Sequence, residues 1–139
     1  MFEAPDFAAS LHRFVHEYRG SRQRAVVLAP DVFSFFARLL IDERLPRGAR
    51  NVVTSVLAYF VVPDDVMPEA ELGPLGVLDD LYAAAYAYRM LRRELPMPLL
   101  QDAWSGDDEL DEAMSVVYTE TRAELGKRTK SVLRMAGLS

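Results

Sequence analysis

The chain has no cysteine. Disulfides, thiolate nucleophiles and thiolate metal sites are excluded together. Histidine occurs only at His12 and His16. There is no glycine-rich phosphate loop and no Gly-x-Ser-x-Gly turn, so no nucleophile–base pair stands out and an enzyme has little positive support. Long hydrophobic runs are also missing. The longest, Val52 to Val62, is interrupted by Thr54 and Ser55 and is about half the ~20 residues that a spanning helix needs. Base is scarcer than acid, 16 against 21, for a formal net charge of -5. No nucleic-acid partner is therefore expected, since phosphate contacts need a clustered basic face. The first residues, Met1-Phe2-Glu3-Ala4-Pro5-Asp6, carry acids where a secretory leader would carry bases. A cytoplasmic location is the expectation.

What is present reads as one globular domain over residues 1–139. Hydrophobic residues make up 50% and charged residues 27%, a balance that supports a core. The apolar spacing is helical nearly throughout. Asp6 is placed to cap a first helix over 6–19, with Phe7, Leu11, Phe14, Val15 and Tyr18 on one face and Gly20 closing it. Residues 21–25 are basic and polar and read as a loop. Val26-Val27-Leu28 reads as an extended segment running into the next helix. That helix spans about Pro30 to Arg44, with Phe33, Phe36, Leu39 and Leu40 inward, and Leu45-Pro46 ends it. A third runs from about Arg47 to Phe60 on Val53, Val56, Leu57 and Phe60, stopped by Val62-Pro63. A fourth opens at Pro74 and runs to about Glu94, with Leu78, Leu81, Tyr82, Ala85 and Leu91 inward. Leu95-Pro96-Met97-Pro98 breaks it, and a loop holding Trp104, Ser105 and Gly106 follows.

The last helix, over 107–135, begins with Asp107, Asp108, Glu109, Asp111 and Glu112 and ends with Lys127, Arg128, Lys130 and Arg134. Acid at the start and base at the end both suit the helix dipole. The same polarity suits antiparallel pairing with a second copy, along a seam of Leu110, Met114, Val117 and Leu125. The alternative is an amphipathic helix packed on its own domain, and the sequence leaves the two open. Gly126 is positioned to split this helix.

The chemistry concentrates between helices three and four. Pro63, Asp64, Asp65, Pro68 and Glu69 precede Gly73, Pro74, Gly76, Asp79 and Asp80. On one reading this is a rigid corner. The prolines fix direction, the glycines allow close approach, and Asp79 and Asp80 sit in a first helical turn, where carboxylates favour free N–H groups. On the other reading it is a divalent-cation site. Asp65, Glu69, Asp79 and Asp80 offer the oxygen ligands that Mg²⁺ or Ca²⁺ takes, although the Asp-x-Asp-x-Asp-Gly spacing of an EF-hand loop is missing. His12 and His16, at i and i+4, lack the Glu of a zinc-protease helix, since Arg13 stands there. Tyr82, Tyr86 and Tyr88 with Arg89, Arg92 and Arg93 make helix four rich in aromatic and basic side chains, an arrangement that can read phosphate or form one core face and one solvated face.

Three groups of residues carry a resemblance. They are Asp42, Arg44 and Pro46; Leu57-Ala58-Tyr59; and Pro63, Asp65, Pro68 and Glu69 followed by Leu75-Gly76-Val77-Leu78-Asp79-Asp80. In order and spacing this chain resembles the YkvA-like family, domain of unknown function 1232, from about residue 35 to 95. Val62 and Glu69 depart from the family's usual Ser and Asp. The resemblance implies an all-α fold and a motif, not a reaction. It also implies a binding role, because the family's domain occurs beside a RING finger in a eukaryotic ubiquitin ligase. Many relatives are more apolar and are described as membrane-associated.

Together these readings give an all-α single domain of about five helices, built around a central helical hairpin closed by an acidic Pro/Gly-rich corner. The expected function is a small interaction or accessory module that binds a protein partner or itself, with no cofactor and no catalysis of its own. The alternatives are a metal-dependent enzyme or metal-binding regulator using the corner carboxylates with Mg²⁺ or Ca²⁺, and a peripheral membrane protein. The motif residues expected to mediate interaction are Pro63, Asp65, Pro68, Gly76, Asp79 and Asp80.

Overall fold

The computed structural model describes residues 9, 11–13, 15, 16, 22–61 and 77–138. Among them every regular element is helical and no strand occurs, as the periodicity predicts. Ala9, Leu11, His12, Arg13, Val15 and His16 are helical, and Leu11 and Val15 are buried. Then come α1 (Gln23–Val26), α2 (Ala29–Ile41), α3 (Arg47–Val61), α4 (Val77–Glu94), α5 (Met97–Ala103), α6 (Leu110–Leu125), a 3-10 turn (Gly126–Arg128) and α7 (Thr129–Met135). No helix among the described residues is long and apolar enough to cross a membrane. The proposed cap Asp6, with Phe7, Tyr18, Gly20 and the whole corner from Val62 to Gly76, lies outside the described residues.

The structure corrects two loop readings. Of the residues read as a loop over 21–25 and an extended run at Val26-Val27-Leu28, those from Arg22 onward are described and do not form either. Gln23–Val26 is a helical turn, and Leu28 leads directly into α2. Burial decides this, because Ala25 and Val26 are wholly enclosed and a helical turn satisfies its own backbone donors. Arg22 enters the turn with a left-handed φ of 60°. Its guanidinium reaches Glu120 at 3.4 Å and Glu124 at 3.1 Å on α6. The second correction is α5, where the sequence reads as a loop. Pro96 and Pro98 do end α4, but Pro98 also falls in the first turn of the next helix, where a missing N–H costs nothing. Leu99, Leu100 and Ala103 of that helix are buried.

The core lies around α4. From Val77 to Ala85 every residue of α4 is buried, so this half of the helix has no solvent face. Its alanines explain how. Ala83, Ala84, Ala85 and Ala87 are fully enclosed, and small side chains let neighbouring helices approach from several sides. α3 packs on α4 to form the hairpin that the sequence predicts, and α2 packs on α3. Phe33 of α2 meets Phe60 of α3 edge-on at 5.5 Å, and Phe35 meets Tyr88 of α4 and Trp104 beyond α5.

α6 covers α4 along much of its length. Tyr82 touches Tyr118, while Tyr88 and Arg92 touch Asp111, so the two helices run antiparallel. This placement answers the question left open by the last helix. Leu110, Met114, Val117 and Leu125 are buried within the chain itself, so the seam packs on its own domain. The helix starts at Leu110, not Asp107, because the Glu109 side chain accepts the N–H groups of Asp111 and Glu112 and so caps it. Gly126, at φ 54°, divides it from the 3-10 turn and α7 as the sequence predicts.

Candidate functional site

Two regions hold the polar side chains that this fold positions deliberately. The first is the start of α4. Asp79 and Asp80 are 0% and 1% exposed. Asp79 accepts the Tyr59 hydroxyl from α3 at 3.2 Å and the backbone N–H of Asp80 at 2.9 Å. One carboxylate therefore satisfies a donor in the first helical turn and pins α3 to α4. Of the four carboxylates suggested for a cation, Asp79 and Asp80 are both buried in the first turn of α4. Asp65 and Glu69 lie outside the described residues, as do Pro63, Pro68 and Gly76. Among the described residues no group of three or more potential metal ligands converges.

The other motif residues also make junctions. At the end of α2 the Asp42 carboxylate accepts the Arg44 backbone N–H at 2.9 Å and its side chain at 3.0 and 2.8 Å. Arg44 extends to Asp102 of α5 at 3.0 Å. The guanidinium holds the Asp42 carboxyl down to about 2. Arg50 of α3 donates to the carbonyls of Leu40, Asp42 and Leu45, covering the acceptors that the end of α2 leaves open.

The second region is an open groove of about 480 Å³ between α4 and α6, lined by Tyr88, Arg89, Arg92, Arg93, Asp111, Met114, Ser115, Tyr118 and Thr119. At its α4 end the Tyr88 hydroxyl and the Arg92 guanidinium both donate to Asp111. Tyr88 holds the Asp111 carboxyl below its ordinary range, with Arg92 adding to the effect, while burial and Asp111 push the Tyr88 phenol up. Further along, Tyr118 stacks on Tyr82 at 5.7 Å. The Arg89 guanidinium lies 4.5 Å and that of Arg122 5.8 Å from the same Tyr118 ring. The groove continues past Arg122 to Gly126 in a second depression that shares Tyr118 and Thr119.

The sequence reading finds the α4 half of this groove but not Ser115, Tyr118, Thr119 and Arg122. Tyr118 and Arg122 stand at i and i+4 on α6, the one local signal that they share a face. Their meeting with Arg89 depends on a long-range helix pairing that no local pattern encodes. His12 and His16 line a separate cleft of about 610 Å³ with Arg13 and Asp31. Burial pushes the Asp31 carboxyl up there, while His12 opposes it.

Residues 49–86 match the family described as "Protein of unknown function (DUF1232)", which spans most of the α3–α4 hairpin. A relative from Methanothermobacter thermautotrophicus, "Uncharacterized protein ORF9", is 30% identical over 122 residues, which cover 88% of this chain and 84% of that protein. The chain belongs to the DUF1232 family. No solved structure matches it. The DUF1232 match lies wholly within the stretch that the motif marks out, and the relative's extends beyond it. Within that match, Tyr59 and Asp79 are the motif residues whose contact links the two helices.

Proposed function

We propose that this DUF1232 protein is a helical interaction module that works by binding a protein partner through the α4–α6 groove. One observation carries the reading. Arg89 and Arg122 converge on Tyr118 in an open groove, and no carboxylate lies within ion-pair distance of either among the described residues. Tyr118 is half-buried and Arg89 and Arg122 are exposed, and tyrosine and arginine are the side-chain types that dominate binding energy at protein interfaces. Among the described residues, the large exposed apolar side chains are Val27 between α1 and α2, Ile41 at the end of α2 and Met135 at the end of α7, and they lie apart in the sequence. The test is a photo-reactive residue introduced at Thr119 in the native host. The expected result is a discrete adduct that is absent when the probe sits at Gly48 and weakened by Arg89→Glu. Equal adducts from both positions, or none from Thr119, would overturn the reading.

A further inference from the structure

We infer that the α4–α6 groove recognises an extended acidic peptide segment of its partner, a specification that rests on the binding-module reading above. The chain carries a formal net charge of -5, yet Arg89, Arg92, Arg93 and Arg122 all line one groove system. Asp111 neutralises Arg92 at 3.3 Å. Arg89 and Arg122 instead lie against one aromatic ring, at 4.5 and 5.8 Å from its centroid, and the Tyr118 face offsets their positive charge only in part. An arriving anion gains charge-assisted hydrogen bonds, which planar guanidinium groups give bidentately to carboxylates.

Shape selects the form of the anion. The groove is open and runs along α6 from Asp111 past Tyr118 and Thr119 to Gly126. At 1.5 Å per helical residue that run is roughly 20 Å long, enough for an extended strand of about six residues. A small ligand is normally held in a more enclosed cavity. The lining matches a peptide as well. Ser115 and Thr119 are exposed hydroxyls at i and i+4 on α6, positioned to hydrogen-bond a passing backbone. Asp111 fixes polarity, because its charge at the Tyr88 end repels a carboxylate there and leaves Arg89, Arg93 and Arg122 as the favoured contacts.

The experiment uses the full chain and a fluorescein-labelled octapeptide of alternating Glu and Ser, read by anisotropy at 50 mM NaCl. Controls are the Gln-for-Glu peptide and inorganic pyrophosphate as competitor. The expected result is saturable binding that weakens at least tenfold between 50 and 500 mM NaCl and is absent for the Gln peptide. Arg89→Gln combined with Arg122→Gln should lose at least tenfold in affinity at an unchanged melting temperature, while Arg47→Gln, an exposed base remote from the groove, should bind as the wild type does. Equal binding by the double variant overturns the inference, as does absence of binding at millimolar peptide. Pyrophosphate binding with the same arginine dependence, without peptide binding, overturns it in favour of a phosphate ligand. A partner crosslinked through Thr119 along a segment without acidic residues also overturns it, while leaving the binding-module reading standing.

Discussion

The Asp42 carboxylate meets three donor groups of Arg44, and Arg44 in turn reaches α5 through Asp102. Its pKa is held down to about 2 by that guanidinium, below the ordinary aspartate value near 3.9. A depressed carboxyl contributes stability that is fully present above its unfolded value and lost as pH falls through the folded one. The urea midpoints of the wild type and Asp42→Asn should therefore differ at pH 6 and converge as pH falls from about 4 towards 2. A difference that stays constant over this range would show that the charge is not what matters. Tyr59 makes the corresponding contact inside the core. Tyr59→Phe keeps the ring and removes the donor to the fully buried Asp79. Leaving a buried acceptor short of a partner costs ~1–3 kcal/mol. The expected result is a lower urea midpoint at an unchanged m value, and an unaltered midpoint would show that this bond does not hold α3 to α4.

At the level of elements, what the sequence reveals depends on how local the cause is. The start of α3 is legible because Leu45-Pro46 before it acts on its nearest neighbours. α5 is not legible, because Pro98 serves as a helix opener while looking like a breaker, and only the burial of Leu99 and Leu100 decides between them. α1 is missed for the same reason, since four residues carry no period and their enclosure by α6 and α4 comes from afar. Asp79 and Asp80 are legible as first-turn carboxylates, but their complete burial is not, because it follows from helices packing around an alanine-rich α4. Two glycines test backbone against packing. Neither Gly48 nor Gly126 has anything within 4 Å of an added Cβ. Gly126 has φ 54° and ψ -119°, a conformation that L residues rarely adopt, so Gly126→Ala should cost ~1–2 kcal/mol. Gly48 stands in the first turns of α3 with no such constraint, and Gly48→Ala should stabilise by ~0.5–1 kcal/mol. Thermal melts of the two variants should therefore move in opposite directions, and parallel shifts would refute this account of Gly126.

For the whole molecule, the last quarter of the chain decides whether the rest folds. Residues 107–139 read in sequence as a helix with two possible uses, one of them a contact with a second copy that a folded monomer could do without. The packing points the other way. Leu110, Ala113, Met114 and Val117 are part of the principal core, together with residues of α2, α3 and α4. Leu125, Val132 and Ala136 close a second cluster with Tyr59, Tyr82 and Ala83. Each large side chain among them contributes ~1.5–3 kcal/mol through burial, and their sum is comparable to the ~5–15 kcal/mol that holds a typical domain together. Removing them would also open one side of α4, the helix that packs against α1, α2, α3, α6 and α7. A chain ending at Gly106 is therefore expected to lose cooperative thermal unfolding and much of its helical circular dichroism, and to expose apolar surface that binds a hydrophobic dye. A truncated protein that melts cooperatively as a monomer would show that α6 is an appended arm, and would return the last helix to the role of a surface for partners.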